Sequence, residues 1–519
     1  VNLANEGDYI ILSEGTYTGE GNHNIYFLGK GVTVRSAGLV ENTIIDCQDI
    51  AGDRGLVFEP HGSYPGETAA TVIEGLTIQN GYFSNGTDGG GIYINNASPT
   101  FNNCIISDNE VYHYANNAQS YGGGIYAYNS SSVFTDCKIS NNKVNAMVNH
   151  SSYDAWAYGG GIYIGGSSNV ILQSCIIDGN WAYTYDHHSN GNSVGYVFGG
   201  GVYSNVSGTT TITDCEIAQN KNTWDGHNID RRSGGVYVEG GTTNLTNVTV
   251  AYNENKQGLY RGGGTLNVIN SIIWGNAEND AGSINYNYCD VQGGASGDGI
   301  ISANPLLDAH EGQSSNFYLQ IDSPCYNTGN PDTQYNDEDG SRADIGANGA
   351  PSIITGNAVW GYISVEGGIL PSEKFVNLMT DGEIINSDEI NLNSYYLLPD
   401  LEEDIEYEIS TSIDINEMID QSFVLSVDSL NSIVASDALY PNLKTKFSLK
   451  SDSIFFSDTI NQKISFSLKD ISSVEYLYMH NRHGVRFYCK ENKSLIINKF
   501  NGKISGRNYA SVLFKEKLA

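Results

Sequence analysis

Four stretches of the 519-residue chain, 110–121, 143–158, 181–198 and 221–232, concentrate side chains able to do chemistry. Tyr112 and Tyr114 lie in the first, and Tyr153, Asp154 and Trp156 in the second. Trp181, Tyr183, Tyr185, Asp186, His187 and His188 lie in the third, and Trp224, Asp225, His227, Asp230 and Arg231 in the fourth. Aromatic faces beside carboxylate, imidazole and amide groups suit a glycan, because rings cover the apolar C–H faces of a sugar while polar groups take its hydroxyls. The competing reading is that these rings pack against one another to cover a flank of the fold. A hydrolase would need two carboxylates across a cleft, for which Asp154, Asp186, Asp225 and Asp230 are the candidates. A lyase would need a cation to neutralise a uronate and a base for its α-proton, and Arg231, Arg232 and His227 are the nearest set. None of these residues stands in a recognisable catalytic motif, so binding is expected ahead of catalysis.

What must hold these stretches is a repeat. Gly-Gly-Gly occurs at 89–91, 122–124, 159–161, 199–201 and 262–264, with a degenerate copy at Ser233-Gly234-Gly235. Alternating strands follow, such as Ile92-Tyr93-Ile94, Ile125-Tyr126-Ala127, Ile162-Tyr163-Ile164, Val202-Tyr203-Ser204 and Val236-Tyr237-Val238. Cys104, Cys137, Cys175, Cys215 and Val248 lie 13 or 14 residues beyond the last glycine, and Asn109, Asn142, Asn180, Asn220 and Asn253 come five residues later. Period-2 alternation with turn residues at fixed offsets, and no 3.6-residue periodicity, predicts a solenoid of stacked strands. The four stretches are the variable insertions between coils, and insertions at one corner pile up into one surface. Less regular coils upstream bring the expected number to nine or ten. The Tyr93, Tyr126, Tyr163, Tyr203 and Tyr237 stripe reads as a stacked structural ladder.

The segments GDYIILSEGTYTGEG, GKGVTVRSAG, NTIIDCQ and IEGLTIQNGY, with the GGGIY…CIIS units, resemble the right-handed parallel β-helix proteins of bacterial surfaces and secretomes, including polymorphic outer-membrane-type proteins. Residues 286–349, with Ser323-Pro324-Cys325 and DEDGSRADIGA, resemble the segment that closes such helices in proteins with interchangeable C-terminal anchors. The resemblance implies a fold more than a chemistry, because the family includes adhesins, sugar-binding proteins, lyases and hydrolases.

Eight cysteines would ordinarily suggest disulfides. Cys104, Cys137, Cys175 and Cys215 hold one position in successive coils, which instead predicts an unbridged inward ladder continued by Val248 and Ser271. Cys289 and Cys325 are the disulfide candidate, as a clamp on the helix end. Asp337, Asp339 and Asp344 have the oxygen density of a calcium loop, with a solvated acidic turn as the alternative. No other cofactor is implied.

The net charge of −33 is uneven: residues 1–350 hold 11 Lys/Arg against 36 Asp/Glu, 351–439 hold 1 against 17, and 440–519 hold 14 against 6. The acidic surface disfavours nucleic acid, and no apolar run is long enough to cross a membrane. The chain opens at Val1 without a signal sequence, as if one had been removed or not included; low Lys and Asn-x-Ser/Thr richness fit an extracellular or cell-surface setting.

The sequence therefore predicts an all-β protein in four parts. Residues 1–285 form a right-handed parallel β-helix and 286–350 its closing segment. An acidic linker or small β region spans 351–439, and a basic, mainly antiparallel β module spans 440–519. The expected partner is a polysaccharide or cell-surface glycan, with the C-terminal module serving attachment or assembly. A polysaccharide lyase or glycoside hydrolase, and a filament or surface-layer subunit that self-associates through the helix end or the C-terminal module, are the alternatives.

Overall fold

After each glycine run, alternation of apolar and polar residues makes a short strand with one apolar side; in Ile92–Asn95 the two isoleucines are buried and Tyr93 and Asn95 are half-buried. A three- or four-residue strand cannot bury that side alone, so it pairs with its equivalent in the next coil. Ile92–Asn95 pairs in parallel with Ile125–Tyr128, that strand with Ile162–Gly166, and that with Val202–Thr213. This register stacks Ile92, Ile125, Ile162, Val202 and Val236 into one buried ladder, and Phe101, Phe134, Leu172, Ile212 and Leu245 into another. Phe101 and Phe134 stack 4.7 Å apart at 4°.

The computed structural model describes residues 1–350 apart from 2, 85, 149–152, 187–193, 226–227, 310–316, 320–322, 338–340 and 348–350, and the strand segments within 357–516, which with 186, 228–229, 308–309 and 318 are described almost wholly by backbone. The chain divides into two units, Val1–Ala350 and Pro351–Ala519. The first is a parallel β-helix. A sixteen-stranded sheet supplies two walls, which merge where strands lengthen to Val202–Thr213 and Val236–Thr246. A ten-stranded sheet, from Gly15–Tyr17 to Asp290–Val291, supplies the third and marks ten coils.

The glycine runs sit where coils touch. Gly159 has φ +66, and a Cβ on Gly160 would lie 2.4 Å from the Gly200 carbonyl and 2.6 Å from the Trp181 carbonyl carbon. One copy is not equivalent to the rest: Leu259–Arg261 pairs with Val236–Val238, so Gly258 holds the repeat position and 262–264 form the next corner. The tripeptide matches in sequence but not in register.

Two interior ladders run the length of the repeat. Asn109, Asn142, Asn180, Asn220 and Asn253 are buried, and each donates its backbone N–H and its Nδ2 to the Oδ1 of the next, ending on Asn276. Each Nδ2 also donates to a backbone carbonyl of the preceding coil, as Asn180 does to Ile139 at 2.8 Å. The cysteine ladder runs from Leu76 through Cys104, Cys137, Cys175, Cys215, Val248 and Ser271 to Cys289, since each following amide donates to the carbonyl of the rung before.

That register corrects the proposed disulfide. Cys289 is the last rung of the interior ladder, its Sγ donating to the Val268 carbonyl, whereas Cys325 Sγ donates to Asp290 Oδ2 at 3.3 Å; both are free, buried thiols. Burial pushes the Cys289 thiol up to about 12. The closing segment folds back along the flank of the ten-stranded sheet. Phe317 packs on Ala218 and Ala251, and Leu319, Cys325 and Ile345 pack on Ile272.

Asp280 near the end of the helix accepts from Leu259 N at 2.8 Å and Tyr286 Oη at 2.5 Å, and burial raises its pKa to about 6. Burial raises Asp136 to about 6 as well. Between roughly pH 4 and 6 the folded protein keeps a proton that the unfolded chain has released, so stability falls as pH rises through that window and is level above it. For Asp280 the difference is on the order of 3 kcal/mol. Thermal melts should show Asp280→Asn losing part of the decline from pH 4 to 7 that the wild type shows, and an identical slope in both proteins would refute this origin.

In the second unit the described strands, from Asn357–Glu366 to Leu513–Glu516, lie in sheets of three, six and four strands. Among the described residues no helix is long and apolar enough to cross a membrane.

Candidate functional site

The four variable stretches fold into strands. Residues leaving each interior asparagine run outward as Glu110–Tyr114, Lys143–Val148, Trp181–Asp186 and Lys221–Asp225, and return as Gln119–Tyr121, Ala155–Tyr158, Val194–Phe198 and Asn228–Arg232. With Tyr82–Ser84 the outgoing strands form a five-stranded parallel sheet, and the returning ones a four-stranded parallel sheet. The two layers pack face to face as a fin on the helix. Small apolar residues fill its interior: Val111, Val144 and Ala182 of the outgoing sheet meet Ala157 and Val197 of the returning one. Alternation then sends most of the large rings, Trp224 excepted, to the outer faces.

On the returning sheet these faces are closed by stacking. Trp156 and Tyr196 stack 5.5 Å apart at 4°, and Tyr121 and Tyr158 stack 5.0 Å apart at 7°. Tyr158 and Phe198 meet the helix wall, where Tyr93, Tyr126, Tyr163, Tyr203, Tyr237 and Tyr260 form a continuous column with neighbours 5.2–5.4 Å apart and within 8° of parallel. Rings one coil apart cover one another, so the corner between fin and helix is filled rather than open. Guanidinium groups end the column: Arg54 lies 4.6 Å from the Tyr93 centroid and Arg232 4.8 Å from that of Tyr260.

The outgoing sheet is arranged differently. One of its rungs reads Glu110, Lys143, Trp181, Lys221. Lys143 pairs with Glu110 at 3.3 Å, and the Lys143 and Lys221 ammonium groups lie 4.8 and 4.7 Å from the Trp181 ring centroid, one from each neighbouring coil. Trp181 Nε1 donates to Thr223 Oγ1, so this indole is engaged within the fin. The next two rungs read Tyr112, Asn145, Tyr183, Thr223 and Tyr114, Met147, Tyr185, Asp225. Here the tyrosines are two coils apart, with Asn145 or Met147 between them. Asn145 Nδ2 donates to Glu110 Oε1 at 3.2 Å, and its buried Oδ1 has no partner among the described residues.

The remaining predicted residues are dispersed. Asp154 Oδ1 accepts from Val194 N at 2.8 Å, which fastens one return strand to the next coil. Asp225 is exposed on the outgoing face, whereas Asp230 lies on the returning face with Tyr196 and holds Arg232 through two hydrogen bonds of 2.6 and 3.2 Å. These carboxylates therefore do not share a cleft. Tyr153 packs on Ala118, Ala146, Val148 and Ala155. Trp224 and Arg231 turn into the fin interior, the indole lying against Gly195, where a Cβ would come within 2.3 Å of the ring. His187, His188, His227 and the Asp186 side chain lie outside the described residues.

Asp344 is buried and its Oδ1 accepts from Asn327 N at 2.6 Å, Asp337 interacts with Ser341, and Asp339 lies outside the described residues. Among the described residues no three His, Cys, Asp or Glu are grouped to hold a metal ion. Lys143, Asn145, Thr184 and Asn222 went unremarked in the sequence; the signal that finds them is alternation within the insertions, with small residues at every second place.

The family model for the right handed beta helix region matches residues 5–193. Among solved structures, the crystal structure of a pectate lyase is similar at 16% identity and a TM-score of 0.35, over 67% of this chain and 89% of that one. A search of curated proteins gave no match. By its strand pairing and the family match, the first unit carries a right-handed parallel β-helix region, here bearing a two-layered fin.

Proposed function

We propose that this chain is a secreted or cell-surface β-helix protein that binds a linear carbohydrate or similar surface polymer on the outgoing face of the fin. The strands beyond residue 351 would form a mainly antiparallel module for attachment or assembly. One observation supports this reading above the others: on that face the tyrosines alternate with Asn145 and Met147 along the helix axis, so no two of them stack from coil to coil, and the ring contacts of Tyr183 are with Trp181 at 5.2 Å and Tyr185 at 6.4 Å on its own strand. At about 4.8 Å per coil, Tyr112 and Tyr183 stand roughly 10 Å apart along a rung with the buried Asn145 between them, so a polymer lying along the rung would meet two rings in succession. Glu110 and Lys143, on the neighbouring rung and partly exposed, supply an acceptor and a donor for hydroxyl groups.

Binding through rings and amides needs no cofactor. The dispersal of Asp154, Asp225 and Asp230 gives no observation that favours hydrolysis. Glycan-array binding followed by titration tests the reading. Tyr112→Ala and Tyr183→Ala should each weaken binding about tenfold, the worth of one well-placed ring. Unchanged affinity in both would refute the face assigned, and release of shortened products from any bound polymer would overturn a binding-only role.

A further inference from the structure

The fin interior changes character along its length. In the earlier coils it is mostly apolar, with Val111, Val144, Ala182, Ala157 and Val197 in one buried cluster, and the polar groups of the first coil, His113 and Ser120, hydrogen-bonded to the Gln119 and Asn145 carbonyls. Toward the last coil the positions become polar without such partners. Asn222 follows Ala182 in register, and Arg231 follows Val197 on the facing sheet. Ala182 and Val197 pack together across the fin, so Asn222 and Arg231 face each other one layer on. Beside them Thr184 and Trp224 pair across neighbouring strands of the outgoing sheet.

Each of these four residues has a buried polar atom without a partner among the described residues: Thr184 Oγ1, Asn222 Oδ1, Trp224 Nε1 and Arg231 Nε. Thr184 and Asn222 are fully buried. An orphaned buried polar atom costs about 1–3 kcal/mol, and four at one end of one layer call for a common occupant. Arg231 is the decisive member. Its neighbour Arg232 points the other way and is saturated by Asp230 and Tyr260, whereas no described carboxylate pairs with Arg231. In a chain of net charge −33, a guanidinium turned inward without a carboxylate is a standing demand for an anion.

We propose that the last coil of the fin interior is a binding site for a small carboxylate. The Nε edge of Arg231 offers the two-pronged geometry that a planar carboxylate matches. The indole N–H of Trp224 and the hydroxyl of Thr184 are further donors, and Asn222 Oδ1 accepts from a hydroxyl adjoining the acid group. The site is separate from the outer tyrosine face, so it stands whether or not that face binds a polymer.

The test is the 15N-indole resonance of Trp224 in the full chain, assigned by its loss in Trp224→Phe, followed while acetate replaces chloride at constant ionic strength. A saturable shift is expected in the wild type, at least tenfold weaker in Arg231→Gln, with the other indole resonances unmoved. If that variant does not fold, Arg231→Lys, which keeps the charge and loses the fork, should show the same weakening. A wild-type Trp224 signal indifferent to acetate would overturn the proposal, and sulfate binding more tightly than acetate would overturn the carboxylate assignment. An unchanged acetate response in Arg231→Gln together with new self-association would also overturn it, showing that Arg231 only keeps a terminal strand from pairing with another chain.

Discussion

Asn180→Ala should destabilise the β-helix by about 4 kcal/mol, more than most core truncations, although the side chain removed is small and polar. Asn180 Oδ1 accepts from the Asn142 backbone N–H at 2.9 Å and from Asn142 Nδ2 at 3.0 Å, while its Nδ2 donates to Ile139 O at 2.8 Å and Asn220 Oδ1 at 3.0 Å. None of these groups can turn to solvent, because the ladder from Asn142 to Asn220 is fully buried. Losing the amide strands four hydrogen-bonding groups, each costing about 1–3 kcal/mol if nothing replaces the partner. Partial relaxation and water entry bring the sum down to the figure given. Because coils contact only their neighbours, unfolding need not be a single step, and hydrogen exchange resolved along the chain is the better measure. Protection should fall most in the strands beside Asn180, and a loss below about 1 kcal/mol there would show the ladder to be ornamental.

Gly160→Ala is expected to act through crowding, at a cost of about 3 kcal/mol or more. The new methyl would meet the Gly200 carbonyl of the next coil and the backbone at Trp181, both closer than 2.8 Å. Backbone on both sides cannot swing aside as a flexible side chain would. The coil must tilt or separate, lengthening neighbouring hydrogen bonds such as Gly161 N–H to Gly201 O, now 3.1 Å. A denaturation midpoint within experimental error of the wild type would show that the glycine run is dispensable at this point.

The helix was legible because it rests on short-range rules. Alternation in Ile92-Tyr93-Ile94 and the constant offset from glycine to cysteine to asparagine specify face and register. The fin was not legible for a related reason: insertions of unequal length read as loops, and their in-register pairing is long-range. Their own alternation was there to be seen, with Val144, Ala146 and Val148 facing in against Ala155 and Ala157. Stacking then altered the meaning of the aromatic residues, because identical positions in successive coils bring Trp156 onto Tyr196 and hide the faces that a sugar would use. Cys289 was misjudged because the final coil is shorter than the repeat, which put the last rung of the ladder out of its expected place.

The tyrosine column with a guanidinium at either end also bears on how such a protein lengthens. Each of the four coils that bear the whole fin contributes one ring to the column and one strand to each fin layer, so duplicating such a unit, for example from Gly122 to Tyr158, adds a rung to every ladder at once. Duplicating a fraction of a unit adds to some ladders and breaks the others. Arg54 and Arg232 lie outside the units that would be copied, and the new ring would slide between them. The fold can therefore inherit length in steps of one coil, about 4.8 Å, while its ends stay as they are.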